Sequence, residues 1–268
     1  MAEQQLNAER RFGGLNRLYG EGSVDLLQQT HVMVAGIGGV GSWCVEALAR
    51  SGIGMLTIID MDHVSESNIN RQLPAVGSTL GQSKIETMKQ RILDINPFCV
   101  VRLVDDFVDA DNIEQLLESK PEVLIDCTDQ ADAKIAMILA AKRHKTRLLV
   151  CGAAGGKHNP LMLKRGDLSQ STHDAMLAKL RSRLRKEHGF AKPKVDKVKP
   201  NTRIPKMGVE VFWVEEAAVM PAAWRQSDTG PQGLSCAGYG SSVTVTAPMG
   251  FAAAQAAIDY VLKTQRTA

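Results

Sequence analysis

Aromatic residues are scarce in this chain, at 4% of 268 residues, so its core must be built mainly from Ala, Val, Ile, Leu and Met. Cysteine is sparse as well. The five, Cys44, Cys99, Cys127, Cys151 and Cys236, are odd in number and contain no C-x-x-C pair. That argues against a disulfide framework and a zinc ribbon, and for a reducing compartment. Met1 to Arg11 is polar and holds no apolar segment, so no secretory signal peptide is expected. Long hydrophobic runs are also missing. The best candidate, Cys236 to Leu262, carries Gln255 and Asp259 and is broken by Pro248, whereas a spanning helix needs roughly 20 consecutive apolar residues. That stretch reads instead as a buried strand, Val243 to Thr246, followed by an Ala-rich core helix. The expected location is the cytoplasm, away from membranes. The six histidines have no ligand spacing, so no transition-metal site is expected.

What is present is a strand–helix alternation. His31 to Gly36, Met55 to Asp60, Val100 to Asp106, Val123 to Cys127 and Leu148 to Gly152 are short, β-branched runs that suit buried parallel strands. Val40 to Arg50, Ser83 to Asn96, Asn112 to Ser119 and Ala131 to His144 read as helices between them. The second of these stops before Pro97, as a helix should. The implied fold is α/β, a Rossmann-like doubly wound and mostly parallel sheet, whose ligands bind at the carboxyl ends of the strands. After Gly156 the pattern changes to a charged helix, Thr172 to His188, a Lys/Pro-rich stretch and a further strand, Val209 to Val214. The organisation expected is one domain over 1–268, with a nucleotide-binding half at 10–160. A basic, substrate-facing insertion at 161–235 and a C-terminal strand–helix unit at 236–268 complete it.

Gly36, Gly38 and Gly41 form G-x-G-x-x-G directly after a strand and at the opening of a helix. Gly36 permits the turn, Gly38 lets backbone approach a phosphate, and Gly41 lets helix and strand pack closely. The phosphate would sit on the helix N-terminus. A glycine-rich turn without a ligand is the plainer alternative. Asp60 closes the second strand about 20 residues on, where a carboxylate holds a ribose hydroxyl. That much fits NAD as well as ATP, and therefore a dehydrogenase. The residues that follow favour ATP. Asn68, Asn70, Arg71 and Gln72 pack a cation and amides just after the second strand, and Lys84 opens the next helix. A triphosphate that must lose pyrophosphate needs such Arg and Lys clamps. Gly39 and Asp62 join the candidate nucleotide contacts. Asp129, just past the fourth strand, suits Mg²⁺ or serves as a helix N-cap.

The runs GIGGVGS, IIDMDHVSESNINRQ, GQSK and IDCTD resemble the ThiF/MoeB and ubiquitin-activating-enzyme superfamily in order and spacing. RRFGGLNRLYGEGSV, CGAAGG and SCAGYGSSVTVTAPMGF are similar to its tRNA threonylcarbamoyladenosine dehydratase branch. The resemblance implies an adenylating enzyme. Gly38 would meet the nucleotide, Asp60 the ribose, Arg71 and Lys84 the phosphates, and Asp129 the Mg²⁺. Gln130 stands where the wider superfamily commonly has Asn. The resemblance also implies a homodimer that lends an N-terminal arginine across its interface, for which Arg17 or Arg11 could serve. In this branch the carboxylate that is adenylated belongs to a threonylcarbamoyl group on tRNA. An Na⁺ or K⁺ ion and a cysteine desulfurase or other sulfur-transfer partner are further candidates.

Between Lys179 and Lys206 stand eleven Lys and Arg residues against only Glu187 and Asp196, in a chain whose net charge is +3. This segment is expected to contact tRNA phosphates, or else to be a solvated basic loop. Cys236, before Gly238 and Gly240 in an apparent turn, is either a thioester-forming nucleophile or a small buried residue. Three rivals follow. The first activates the C-terminal glycine of a sulfur-carrier or ubiquitin-like protein, although the missing C-x-x-C pairs weaken it. The others are an NAD-dependent oxidoreductase and a non-enzymatic nucleotide-sensing scaffold.

Overall fold

The computed structural model of the chain describes residues 7–193, 204–220 and 236–266. Lys194, Asp196, Lys197, Lys199 and Arg203 of the basic segment lie outside the described residues. Three short helices, α1 (Ala8–Phe12), α2 (Gly14–Tyr19) and α3 (Ser23–Gln28), lead into β1 (His31–Ala35), α4 (Gly41–Arg50) and β2 (Met55–Ile59). Then come α5 (Lys84–Ile95), β3 (Val100–Val104), α6 (Ile113–Leu117), β4 (Val123–Asp126), α7 (Ala131–His144) and β5 (Arg147–Cys151). The last third supplies β6 (Leu163–Asp167), α8 (Ala175–Glu187), β7 (Glu210–Val214), α9 (Cys236–Tyr239) and α10 (Val243–Arg266).

The seven strands form one sheet in the order β3-β2-β1-β4-β5-β7-β6, parallel except for β6, which runs antiparallel to β7. This is the doubly wound, mostly parallel α/β fold expected. Strand alternation explains its two covered faces. Val32, Val34, Leu56, Ile58, Val123 and Ile125 point to a layer made by α4, α5 and α10. Met33, Ala35, Ile59 and Leu124 point to α6 and α7, and Val150, Val211 and Trp213 to α7 and α8. Such strands are apolar on both faces, hence their continuous Val/Ile/Leu runs. Fully burying each such side chain contributes about 1.5–3 kcal/mol.

Two elements differ from the sequence reading. Val243 to Thr246 is the opening turn of α10, not a strand. The V-T-V-T alternation carries a strand signal, but tertiary packing overrides it. α10 lies so close to α4 that a Cβ on Gly250 would overlap the carbonyl oxygen of Val40, a fit available to a helix of small residues. Likewise Cys236 opens the short helix α9 rather than a turn. β6 had no sequence signal, because LKRGD lacks apolar alternation. It forms at the sheet's outer edge, where Gly166 and three charged residues are tolerated. Among the described residues no helix is long and apolar enough to cross a membrane.

Candidate nucleotide and active site

The strand order reverses between β1 and β4, and the crevice opens there, outside the carboxyl ends of the strands. A cavity of about 470 Å³ occupies it, within the range of a cofactor-sized ligand. Its lining brings together Gly36, Gly38, Gly39, Asp60, Asp62, Asn68, Arg71, Gln72, Lys84 and Asp129. Gly41, Asn70 and Arg17 are not in that lining, and the side chain of Cys236 lies outside the described residues.

Glycine is required at the turn itself. Gly36 has φ +85°, and a Cβ there would sit 2.9 Å from the Cys127 carbonyl carbon. A Cβ on Gly41 would overlap the carbonyl oxygen of Gly36, so Gly41 acts behind the loop rather than on the ligand. Gly38 is the open one. Its nearest obstacle to a Cβ is Gln72 Nε2 at 3.8 Å, which leaves its backbone accessible to a phosphate.

Asp60, 8% exposed, fixes this loop from below. Its Oδ2 accepts from the Ile37 N–H at 2.6 Å and its Oδ1 from the Asp62 N–H at 2.9 Å. Burial pushes its pKa above the ordinary carboxylate value, against the pull of Lys84 and of those two N–H groups. Lys84, 4% exposed, donates to Asp62 Oδ2 at 2.7 Å and lies 3.9 Å from Asp60 Oδ1. The Arg71 guanidinium donates to the Ser67 carbonyl at 2.8 Å and to Asn70 Oδ1 at 3.0 Å. Its own carbonyl accepts from Trp43 Nε1 at 3.0 Å. Asn68 and Asn70 build this segment instead of presenting free amides. Asn68 Oδ1 accepts from the Ser65 N–H at 3.1 Å, and Asn70 Nδ2 donates to the Ser241 carbonyl at 2.7 Å.

A buried ion pair backs the opposite wall. Lys134 Nζ, 0% exposed, donates to Asp126 Oδ1 at 3.1 Å and to the Cys151 carbonyl at 2.8 Å. The same Asp126 oxygen accepts from the Thr128 N–H and hydroxyl, which sets the turn that carries Asp129. Cys127 and Cys151 lie with their sulfurs 3.8 Å apart. The contact with Cys127, together with burial, pushes the Cys151 thiol well above its usual pKa. Cys151 is buried in the core, whereas Cys127 is half-buried and lines the cavity.

Sequence reasoning missed several lining residues: Phe107, Val108, Gly152 to Ala154, Met176, Ser241 and Thr246. They share a cause that periodicity cannot show. α4, α5, α7, α8 and α10 all begin at this cavity, through Val40, Lys84, Gln130, Met176 and Thr246 respectively. Each helix start carries unpaired N–H groups and partial positive charge. Reading Val243 to Thr246 as a strand hid one of the five.

The arrangement suits ATP: an accessible glycine backbone, Arg71 and the buried Lys84 in the cavity wall, and converging helix starts that favour phosphate. It also suits Mg²⁺ carried by ATP. Asp129 is exposed and has no ion pair or hydrogen bond among the described residues. Gln72 Oε1 is buried at the cavity without a partner. No cluster of three metal-ligating side chains occurs among the described residues, so a Mg²⁺ ion here would take most of its ligands from phosphate and water, as is usual for magnesium. Arg11 donates to the Asp94 and Ile95 carbonyls at the end of α5. Arg17 stays exposed on α2, outside the cavity.

A Rossmann-like sheet whose switch-point crevice gathers a glycine turn with Arg71, Lys84 and Asp129 defines the class: an α/β protein built to bind a nucleotide. The chain belongs to the ThiF family, whose model matches residues 13–268. It is 41% identical over 259 residues to the tRNA threonylcarbamoyladenosine dehydratase of Haemophilus influenzae, covering 96% of this chain and 95% of that protein. It is also similar, at 38% identity and a TM-score of 0.84, to the crystal structure of Escherichia coli tRNA N6-threonylcarbamoyladenosine dehydratase in complex with ATP. That match covers 97% of this chain and 96% of the other. The same enzyme in complex with AMP matches with a TM-score of 0.84 over 98% of this chain and 100% of the other, at 38% identity.

Proposed function

We propose that the chain catalyses the ATP-dependent dehydration of N6-threonylcarbamoyladenosine at position 37 of tRNA. The observation that carries this is the anion-binding cavity, lying in a chain whose relatives match it end to end and act under that name. A carboxylate oxygen of the threonyl group attacks the α-phosphorus of ATP, and pyrophosphate leaves. An atom of the carbamoyl group then attacks the acyl adenylate carbon. A ring closes, AMP departs with the former carboxylate oxygen, and the net loss is one water. The capturing nucleophile lies in the substrate itself, so no protein nucleophile is needed. The protein positions both groups and neutralises phosphate charge.

The glycine loop holds the triphosphate, Asp60 the ribose, and Arg71 and Lys84 the phosphates. Asp129 would hold a Mg²⁺ ion brought in by ATP, and such an ion would supply charge neutralisation to the phosphates. We further assign a homodimer that contributes Arg17 across its interface, and residence with the tRNA pool in the cytoplasm. The single domain divides as 10–160 for ATP, 161–235 for the substrate and 236–268 for the closing α9 and α10. The reaction as written uses neither the candidate alkali ion nor the candidate sulfur-transfer partner.

Nucleoside mass spectrometry of tRNA, before and after incubation with protein and ATP, tests the reading. Loss of one water from threonylcarbamoyladenosine, with one AMP formed per event, is expected. Unchanged tRNA, with pyrophosphate exchange dependent on a sulfur-carrier protein, would overturn it in favour of that activity.

A further inference from the structure

α8 begins at the cavity and ends far from it. Met176 lines the cavity, and ten residues on, about 15 Å along the helix axis, Lys186 lines a second, shallow crevice. That crevice is walled by Arg181, Ser182, Arg185, Lys186, Lys192 and Pro193. It holds four cationic side chains and, among the described residues, no acidic one.

The four cations are not equivalent. Arg181 is committed to the fold, donating to the Leu168 carbonyl at 3.1 Å and to the Ser171 carbonyl and hydroxyl at 2.8 Å each. Burial and then the Arg185 guanidinium depress its pKa, so the two cations repel one another. Arg183, on the neighbouring face, is neutralised by Asp132 and Glu187. Arg185 is different. Its Nε donates to the Ala191 carbonyl at 3.1 Å, while its Nη2 is buried without a hydrogen-bond partner among the described residues. Lys186 and Lys192 are exposed beside it. A buried guanidinium donor left unpaired next to a second guanidinium is costly. An anion in the crevice would relieve both the missing hydrogen bond and the repulsion.

We infer that this crevice, centred on Arg185, Lys186 and Lys192, seats a backbone phosphate of the tRNA several nucleotides away from the adenosine in the cavity. The inference rests on the proposed function, and it sharpens it. α8 becomes a ruler that links the reacting base, at its start, to a phosphate anchor at its end. A free threonylcarbamoyl nucleoside cannot reach both places. It is therefore a far poorer substrate than the same nucleoside within an anticodon stem-loop.

The test compares wild type with Arg185→Gln/Lys186→Gln/Lys192→Gln, using full-length tRNA over a salt series. Because Arg185 touches the fold, the milder Lys186→Gln/Lys192→Gln variant runs in parallel, with thermal melting to show that each folds. Each lost phosphate contact reduces the slope of log K against log salt by about 0.7–0.9. The triple variant is expected to flatten that slope by about 2 and weaken tRNA binding at least tenfold, with ATP affinity unchanged. The double variant is expected to show a proportionate part of both effects. Wild-type activity on tRNA, with affinity and slope unaltered in either folded variant, overturns the anchor and leaves the function standing. Wild-type protein that leaves tRNA unmodified overturns the function and the anchor with it.

Discussion

The two sides of the molecule solve their binding problems with different materials. The nucleotide side, from β1 to α7, is made of backbone: a glycine turn, helix starts, and buried carboxylates that hold N–H groups in place. Asp60 tethers the loop through Ile37, and Asp126 tethers the Asp129 turn through Thr128. The side from Gly152 to α8, which we propose faces the substrate, repeats the carboxylate device at Asp174 and otherwise relies more on side chains. Asp174 accepts from the Ala153 and Leu177 N–H groups at 2.8 and 2.9 Å. Lys157, 3% exposed, donates to the carbonyls of His173 and Glu216. A backbone-made site leaves little room for substitution, whereas a side-chain-made site can lose members one at a time.

Gly41→Ala should do the greatest damage. Its new methyl would collide with a backbone oxygen that cannot move without unmaking the turn. A stability loss of about 3 kcal/mol, at the top of the usual overpacking range, and loss of measurable ATP binding are expected. Calorimetry and thermal melting check both. Survival of ATP binding would break the contrast at its strongest point.

Lys84→Met comes next. The ammonium is 4% exposed and bonded to Asp62, so the methionine keeps the packing and removes the charge. Turnover on tRNA should fall about 100- to 1,000-fold, the size of effect seen when one preorganised donor is lost. Pre-steady-state release of pyrophosphate locates the loss in the adenylation step. An equal loss confined to tRNA affinity would contradict the assignment.

Arg181→Ala probes the other side. This arginine is in the basic segment that suggested nucleic-acid contact, yet its bonds are all internal. The expected result is a stability loss of about 1–3 kcal/mol from unpaired carbonyls, read by denaturant titration. Any slope change in tRNA binding should be smaller than that from Arg185, Lys186 and Lys192 together.

Legibility follows the same division. β1, β2 and β4 announce themselves because both their faces are buried, and their carboxyl ends carry glycine or aspartate. Gly36, Asp60 and Asp129 are visible for that reason. The substrate side hides its logic. LKRGD carries no pattern, since the sheet edge imposes none, and V-T-V-T misleads because packing against α4 outweighs its β propensity. Charge count alone could not separate Arg181 and Arg183, which are paired internally, from Arg185, whose donor is not.

Glu46 gives a smaller effect with a pH signature. It joins α4 to α5 through Arg91, at 2.6 and 2.9 Å, and to Arg50 at 2.7 Å. Burial alone would raise its pKa, but the hydrogen bonds from Arg91 and Arg50 outweigh burial and bring it below the ordinary 4.5. A depressed carboxylate stabilises the fold above the unfolded-state pKa and loses that contribution as pH falls through the folded-state value. Glu46→Gln should therefore melt earlier at neutral pH, by about 1–2 kcal/mol. The gap should narrow below pH 4.5. A gap independent of pH would assign the effect to shape instead of charge.

Cys236→Ser is expected to change least. A thioester relay would need a nucleophile at the acyl adenylate, because in that chemistry the acyl group must pass to a second molecule. Here the carbamoyl group is already tethered to the activated carbon, and ring closure outruns an external thiol by effective concentrations that reach about 10⁵–10⁸ M in well-oriented cases. Cys236 opens α9. Turnover within twofold of wild type, with no acyl-enzyme trapped by acid quench, would keep the substrate side free of covalent chemistry. A trapped thioester and a loss of more than about tenfold would move the chemistry onto the protein, and with it the boundary between the two sides.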